Sequence, residues 1–181
     1  MNMNTPNKLT LFRVILVPFF IWFLYMDWNI LSIIIFALAS YTDYLDGHLA
    51  RKGGIVTTFG KLMDPLADKI LTISALVCFL ELDIRFLGAW MVVLIIAREL
   101  IVTGIRLIAL SENKVIAASW WGKSKTVSQL IAIILMMVDR IFPLTFFGIE
   151  ITMIAIWVMV VLTAYSGYDY VKKNFSLLQF K

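Results

Sequence analysis

The chain has 181 residues, of which 61% are hydrophobic and 15% are charged, and its formal net charge is +4. A soluble fold of this length cannot bury so many large side chains, so the excess is expected to face lipid. The single cysteine, Cys78, excludes an internal disulfide and belongs to no zinc or thiol motif. We therefore predict an all-α integral membrane protein with one domain over 1–181.

Six apolar segments follow one another along the chain, each near the roughly 20 residues that cross a bilayer. Polar breaks such as "MDWN", "ELDIR" and "DRIFPLT" separate them. The predicted transmembrane helices span about 9–26, 29–50, 59–81, 84–110, 123–140 and 146–171.

The basic residues predict the orientation of these six spans. When both termini lie on one side, only Arg85 and Arg140 of the 16 basic residues fall on the opposite side, which leaves 14 on the side of the termini. Basic residues near membrane spans concentrate in the cytoplasm. Both termini and the 2–3 and 4–5 connections are therefore predicted to be cytoplasmic.

Four aspartates lie where the second and third segments meet the cytoplasmic interface. Asp43 and Asp46 are three residues apart, and Asp64 and Asp68 are four apart, so each pair shares one helix face. The short link "RKGGIVTT" predicts antiparallel neighbouring helices, which would bring both acidic faces to one pocket. Small residues on the same faces leave space above the carboxylates: Gly47, Ala50 and Gly60.

Four carboxylates in a partly desolvated pocket would repel one another and take up protons unless cations compensate. Oxygen ligands without His or Cys suit hard ions, Mg²⁺ first, with Mn²⁺ or Ca²⁺ as alternatives. Two divalent ions would balance the four charges and clamp the attacking and leaving oxygens of a phosphoryl displacement. The plain alternative is a set of intramembrane ion pairs with nearby basic residues: Arg51, Lys61, Lys69 and Arg98.

This acidic segment resembles the signature of the CDP-alcohol phosphatidyltransferase family. Eight positions over 26 residues match it: Asp43-x2-Asp46-Gly47-x2-Ala50-Arg51-x8-Gly60-x3-Asp64-x3-Asp68. The resemblance implies a six-helix membrane enzyme, usually a homodimer, in which an alcohol displaces CMP from a CDP-linked lipid. The active site would lie on the cytoplasmic side.

The resemblance also implies roles for individual residues. The metal ligands would be Asp43, Asp46 and Asp64, while Asp68 would be the general base with a further contact to the second metal. Four residues of the signature would line the cytidine diphosphate pocket: Gly47, Ala50, Arg51 and Gly60.

The stretch "PNKLTLFR" near the N-terminus places three polar residues on one helical face at three-residue intervals: Asn7, Thr10 and Arg13. Family members often show this Asn-x2-Thr-x2-Arg pattern, which resembles a contributor to the nucleotide pocket. The alternative is an interfacial anchor whose basic side chains extend towards water.

The fourth segment carries charge well inside a span, where charge is costly. "ARELIVTGIRLIA" contains Arg98, Glu99 and Arg106. Arg98 can pair with Glu99, which leaves Arg106 unpaired within this helix. "WWGKSKTVSQ" adds Lys123 and Lys125 at the start of the fifth span. These four cations are predicted to bind a phosphate of the acceptor alcohol, although positive-inside topology alone is an alternative explanation for the lysines.

Both segments resemble the branch of the family whose acceptor is glycerol 3-phosphate. The resemblance implies transfer of a phosphatidyl group from CDP-diacylglycerol, with two Mg²⁺ ions, or Mn²⁺, as cofactors and membrane lipid as surroundings. A sibling enzyme with inositol phosphate or serine as acceptor is one alternative. A cation transporter is another, but a single acidic cluster without a second copy disfavours it. No nucleic-acid partner is expected, and the expected location is a bacterial plasma membrane.

Overall fold

The computed structural model describes the backbone of residues 5–53, 58–111, 116, 119–146 and 148–175, and the side chains of 11–42, 69–109, 116, 119–146 and 148–175. These residues form six helices and one short hairpin. The helices are α1 (Thr5–Tyr25), α2 (Asn29–Gly53), α3 (Thr58–Glu81), α4 (Ala89–Ser111), α5 (Trp120–Asp139) and α6 (Ile151–Lys173). The hairpin strands, β1 (Thr145–Phe146) and β2 (Ile149–Glu150), precede α6.

The helical character predicted from the sequence is confirmed, but two predicted segments begin too early. Residues 84–88 form turns rather than the start of α4, and Phe86 has a left-handed φ of 68°. Residues 146 and 148–150 belong to the hairpin, and Gly148 has a φ of 77° in its turn. A positive φ costs glycine little, so this position favours a chain reversal over a continuous helix.

Helix α1 ends in a Schellman turn, in which one residue adopts a left-handed backbone conformation. Asp27 adopts a φ of 57°, the Trp28 amide donates to the Phe23 carbonyl at 3.0 Å, and the Asp27 amide donates to the Leu24 carbonyl at 3.4 Å. The rings of Phe23 and Trp28 stack with centroids 5.5 Å apart. This ring pair is the apolar contact that usually accompanies the motif, and it directs the chain into α2.

The end of α3 repeats this arrangement. Asp83 has a φ of 51°, the Ile84 amide donates to the Phe79 carbonyl at 3.1 Å, and the Asp83 amide donates to the Leu80 carbonyl at 3.2 Å. Aspartate tolerates the left-handed region better than most residues that carry a Cβ. The polar breaks "MDWN" and "ELDIR" therefore stop their helices through a defined backbone conformation.

The chain divides into two compact units, an N-terminal unit (Met1–Cys78) and a C-terminal unit (Phe79–Lys181). Within the N-terminal unit α1 packs against α2. Phe20 and Phe36 are fully buried, and their ring centroids lie 5.6 Å apart. Burial of these large apolar side chains is the main stabilising contribution to the pairing of the two helices.

In the C-terminal unit α6 packs against both α4 and α5. Its buried side chains include Ile156 and Met159, while α5 contributes Ile133 and Met136 to the same unit's interior. Trp121 of α5 meets Tyr165 of α6 edge-on, with ring centroids 4.7 Å apart. Because α6 contacts both neighbours, it sets where the polar side chains of α4 and α5 lie.

The outer faces of the helices carry large apolar side chains in contact with the surroundings. More than half of the surface is exposed for Trp22, Ile30, Val93, Leu100 and Val161, an arrangement expected for lipid-facing helices and unusual for a soluble monomer. Among the described residues α6 alone is both long and apolar enough to cross a membrane, with shorter apolar stretches at Leu11–Tyr25 and Asn29–Thr42. The prediction of six transmembrane helices remains a prediction.

The left-handed backbone at the end of α3 predicts opposite effects for two substitutions. Asp83→Val should reduce the free energy of unfolding by about 1–2 kcal/mol, because a β-branched residue is strained at a φ of 51°. Asp83→Gly should leave it unchanged or raise it. Thermal unfolding of the detergent-solubilised protein measures both, and equal midpoints for the two variants would contradict this account of the turn.

Candidate functional site

The four predicted acidic residues lie on two helices of the N-terminal unit. Asp43 and Asp46 belong to α2, and Asp64 and Asp68 belong to α3. Because the backbone is helical at these positions, each pair occupies one face of its helix. Their side chains lie outside the described residues, as do those of four predicted pocket residues: Gly47, Ala50, Arg51 and Gly60.

The donor chemistry of these aspartates fits a hard divalent cation, since it consists of carboxylate oxygens alone. Among the side chains that the structure describes, no group of three or more His, Cys, Asp or Glu residues lies close enough together to hold a metal ion.

Arg13 is the one member of the N-terminal polar face whose side chain is described. It lies in α1 and is only 1% exposed, whereas the side chains of Asn7 and Thr10 lie outside the described residues. A snorkelling anchor keeps its charged group in water, so this burial argues against the interfacial anchor. A guanidinium in such a position requires polar or charged partners, as a binding pocket would provide.

The C-terminal unit holds a buried charge cluster whose centre is the carboxylate of Glu99. Arg98 donates from Nη1 to Glu99 Oε1 at 2.8 Å. Lys125, from α5, donates from Nζ to the same oxygen at 2.5 Å. Lys125 also donates to Oε1 of Gln129, one turn further along α5. We call these four residues the Glu99 cluster.

The residues of the Glu99 cluster are largely buried, which strengthens the electrostatic interactions between their charges. Glu99 is 8% exposed, Lys125 2% and Gln129 3%, and the Arg98 side chain is 11% exposed. Charges in such surroundings interact more strongly than charges in water. Two cations, Arg98 and Lys125, share one carboxylate oxygen, and positive charge at a defined position favours the approach of an anionic ligand.

The path of the Arg98 side chain depends on a glycine of α6. A Cβ atom at Gly167 would lie 2.8 Å from Arg98 Cγ, which is too close for any real contact, and one at Gly122 would lie 3.8 Å from Arg98 Nη2. Arg98 Nε is buried and has no hydrogen-bond acceptor among the described residues. The Arg98 side chain therefore passes Gly167 of α6 and reaches Gly122 at the start of α5. Its Nε–H group is the donor that has no acceptor among the described residues.

An open groove lies between α4 and α6 beside Arg98. It encloses about 470 Å³, and its other lining residues are mostly apolar, including Leu94, Ala97, Ile101 and Ala164. Tyr168 contributes an aromatic ring to the same wall. A guanidinium at the edge of an apolar groove suits a molecule with both anionic and apolar parts.

The other two predicted cations lie apart from the Glu99 cluster. Arg106 Nε donates to the Tyr170 hydroxyl at 3.3 Å, and its guanidinium carbon lies 5.6 Å from the Tyr170 ring centroid. The prediction that Arg106 has no partner within α4 stands, but α6 supplies a neutral aromatic one. Lys123 is exposed on the first turn of α5.

The start of α5 has its own cap. Ser119 Oγ accepts a hydrogen bond from the Gly122 amide at 3.1 Å, which satisfies one of the free amides of the first turn. This cap fixes where α5 begins, and hence where Lys123 and Lys125 project. Serine immediately before "WWGK" is a signal for a helix start that the predicted boundary at residue 123 did not use.

Three residues of this region were not singled out from the sequence. Gln129 follows Lys125 by four positions, a spacing that brings the two side chains together on one helix face, so it was detectable. Tyr170 and Gly167 contact α4 from α6. Their roles follow from packing between helices distant in the chain, and no local pattern indicates them.

Comparison with known proteins identifies the family. The sequence model of the CDP-alcohol phosphatidyltransferases matches residues 3–165. A Bacillus subtilis protein is 39% identical over 97% of this chain and 97% of its own length. Proteins of Haemophilus influenzae and Escherichia coli are 41% and 40% identical over 74% of this chain, covering 75% and 76% of their own lengths. All three are named CDP-diacylglycerol–glycerol-3-phosphate 3-phosphatidyltransferase. The chain belongs to the membrane-associated CDP-alcohol phosphatidyltransferase family.

Proposed function

We propose that this protein transfers the phosphatidyl group of CDP-diacylglycerol to glycerol 3-phosphate, releasing CMP and forming phosphatidylglycerol phosphate. The observation that carries the proposal is the relative from Bacillus subtilis, which bears the name of this activity and aligns over 97% of both chains. The two cations of the Glu99 cluster, Arg98 and Lys125, support an acceptor that carries its own phosphate.

The aspartates of α2 and α3 supply the catalytic chemistry in this proposal. Asp43, Asp46, Asp64 and Asp68 would hold two divalent cations, Mg²⁺ or Mn²⁺, and these ions would supply charge to neutralise the pyrophosphate and polarise its phosphorus. Asp68 is also the general base, since an alcohol is a weak nucleophile at neutral pH and a positioned carboxylate can take its proton.

The reaction is a displacement at the phosphorus that carries the diacylglycerol. The primary hydroxyl oxygen of glycerol 3-phosphate forms a bond to that phosphorus, and its proton passes to Asp68. The bond from the same phosphorus to the bridging oxygen of the pyrophosphate breaks, and CMP leaves with that oxygen. Holding both substrates in line supplies much of the rate enhancement of such a step.

Binding of the two substrates is assigned to separate groups of residues. The nucleotide end of the CDP-lipid is assigned to seven residues: Asn7, Thr10, Arg13, Gly47, Ala50, Arg51 and Gly60. The acceptor phosphate is assigned to four cations: Arg98, Arg106 and Lys123 would contact it directly, and Lys125 would act through the carboxylate of Glu99. Guanidinium groups suit this task because their planar donors match phosphate oxygens.

We place the reaction at the cytoplasmic face of a bacterial plasma membrane. In this arrangement six helices span the bilayer, both termini and the aspartates are cytoplasmic, and the acyl chains of the CDP-lipid stay in the hydrocarbon region. The distribution of basic residues supports the orientation. The protein is proposed to be a homodimer, which the mass of the detergent-solubilised particle can check.

The purified protein should release CMP from CDP-diacylglycerol only when both a divalent cation and glycerol 3-phosphate are present. EDTA should abolish the release and excess Mg²⁺ should restore it, because uncompensated carboxylates cannot hold a pyrophosphate. Parallel reactions with inositol phosphate and serine test the sibling activities. Faster CMP release with either of them, or equal release without any acceptor, would refute the proposed reaction.

Asp68→Asn should reduce kcat by about 10²–10⁴-fold, since it removes the general base while preserving the size of the side chain. Binding of CDP-diacylglycerol, measured by equilibrium dialysis of a labelled lipid in detergent, should be largely retained. Asp169→Asn is the matched control, because Asp169 pairs with Lys173 at 2.9 Å on α6 and has no catalytic or binding role in this proposal. Near-normal turnover of Asp68→Asn would exclude this residue as the base.

The orientation predicts the behaviour of reporter fusions in bacterial cells. Alkaline phosphatase joined after Asp27, in the α1–α2 turn, should be active because that turn is proposed to face the periplasm. The same enzyme joined after Lys181 should be inactive, whereas green fluorescent protein at that position should fluoresce. Phosphatase activity at the C-terminus would show that the topology is inverted or that the number of spans is odd.

A further inference from the structure

We propose that Glu99 is a positioning residue for the acceptor: held by Lys125, it orients the guanidinium of Arg98 towards the acceptor phosphate. The inference rests on the proposed function, since it concerns the binding of glycerol 3-phosphate. In this proposal Lys125 and Arg98 have different roles. Lys125 acts on the acceptor through the Glu99 carboxylate, whereas Arg98 contacts the phosphate.

The hydrogen bonds of the Glu99 cluster support this division. Lys125 Nζ donates to Glu99 Oε1 and to Gln129 Oε1, and at 2% exposure it has little access to a ligand. Arg98 uses Nη1 for Glu99, while its Nε has no acceptor among the described residues. Because the Arg98 side chain is 11% exposed and that of Lys125 is 3% exposed, Arg98 is the cation of the pair that an incoming anion can reach.

The hydrogen bond from Lys125 fixes the position of the Glu99 carboxylate. Arg98 and Glu99 are adjacent in α4, and both their side chains would retain rotamer freedom if they paired only with each other. The bond from α5 ties the same Oε1 atom to a second helix. Because all three charges are buried, rearrangement would leave at least one of them without compensation, which is strongly unfavourable. The guanidinium is thereby held before the acceptor arrives.

The stem of Arg98 is restricted from the opposite side by α6. A Cβ atom at Gly167 would lie 2.8 Å from Arg98 Cγ, so the side chain passes directly over this glycine. Gly167 of α6 restricts the aliphatic part of the Arg98 side chain, and Glu99 binds its guanidinium. Arg98 has therefore lost most of its rotamer freedom. Ordering a side chain in advance removes that cost from the binding step.

The test compares Michaelis constants for the two substrates. Glu99→Gln should raise the KM for glycerol 3-phosphate about tenfold or more, equivalent to the loss of one charge-assisted contact. Its kcat and its KM for CDP-diacylglycerol should change by less than about twofold, because neither depends on Arg98 in this proposal. Glu150→Gln is the matched control, since it breaks an exposed ion pair with Arg85 in the same unit.

Two further variants separate positioning from stability. Glu99→Gln leaves Lys125 with a buried charge and is expected to lower the thermal unfolding midpoint. The double variant Glu99→Gln with Lys125→Gln removes both charges and should regain much of that midpoint. If it still shows the raised KM for glycerol 3-phosphate, positioning is supported. A KM for glycerol 3-phosphate restored together with stability would overturn the proposal.

Gly167→Ala displaces Arg98 without changing any charge. It should raise the KM for glycerol 3-phosphate and leave the KM for CDP-diacylglycerol unchanged. Gly104→Ala is its control, because no heavy atom lies within 4 Å of a Cβ placed at that position of α4. Equal effects on the KM values for both substrates would assign Gly167 and Glu99 to general packing.

If the wild-type protein releases no CMP with glycerol 3-phosphate, the proposed function itself fails. If the wild-type protein is active and the variants have unaltered KM values for glycerol 3-phosphate, only the positioning role of Glu99 is refuted.

Discussion

The sharing of one carboxylate oxygen between Arg98 and Lys125 is the interaction on which the arrangement of the C-terminal unit depends. Glu99 Oε1 accepts from Arg98 at 2.8 Å and from Lys125 at 2.5 Å, within an interior whose buried side chains are mostly apolar. Replacing such a buried group by a well-packed hydrophobic one is often neutral or stabilising. Its presence is therefore poorly explained by stability alone, and it is well explained by the need to present positive charge at a defined point.

The same constraint operates in the N-terminal unit, where Arg13 is 1% exposed in a helix of predominantly apolar residues. In an enzyme whose substrates join a polar headgroup to acyl chains, charges must lie close to hydrocarbon without direct access to bulk water. Low local polarity strengthens each contact with a phosphate oxygen, and it makes an unpaired charge costly. The paired and buried cations of both units are consistent with that compromise between binding and stability.

The helices were predictable because long apolar segments between polar breaks mark them. The breaks "MDWN" and "ELDIR" correspond to Schellman turns at Asp27 and Asp83. Residues 84–88, 146 and 148–150 were wrongly included in helices, because hydropathy does not register the left-handed backbone at Phe86 or the hairpin turn at Gly148. In the candidate site, the Arg98–Glu99 pair follows from adjacency in the chain. The bond from Lys125 joins residues 26 positions apart, and the passage of Arg98 over Gly167 joins α4 to α6. Contacts of this kind depend on how helices pack, which spacing along one chain does not encode.

The close approach of Arg98 to Gly167 makes the two positions dependent on each other during evolution. With a long side chain at position 98, any residue larger than glycine at position 167 must push α6 outwards or divert that side chain. A shorter residue at position 98 would leave room for a side chain at position 167. A substitution at one position therefore changes which substitutions the other position tolerates. Natural variation at residue 167 should therefore follow the length of the side chain 69 positions before it, and the pair should be inherited together.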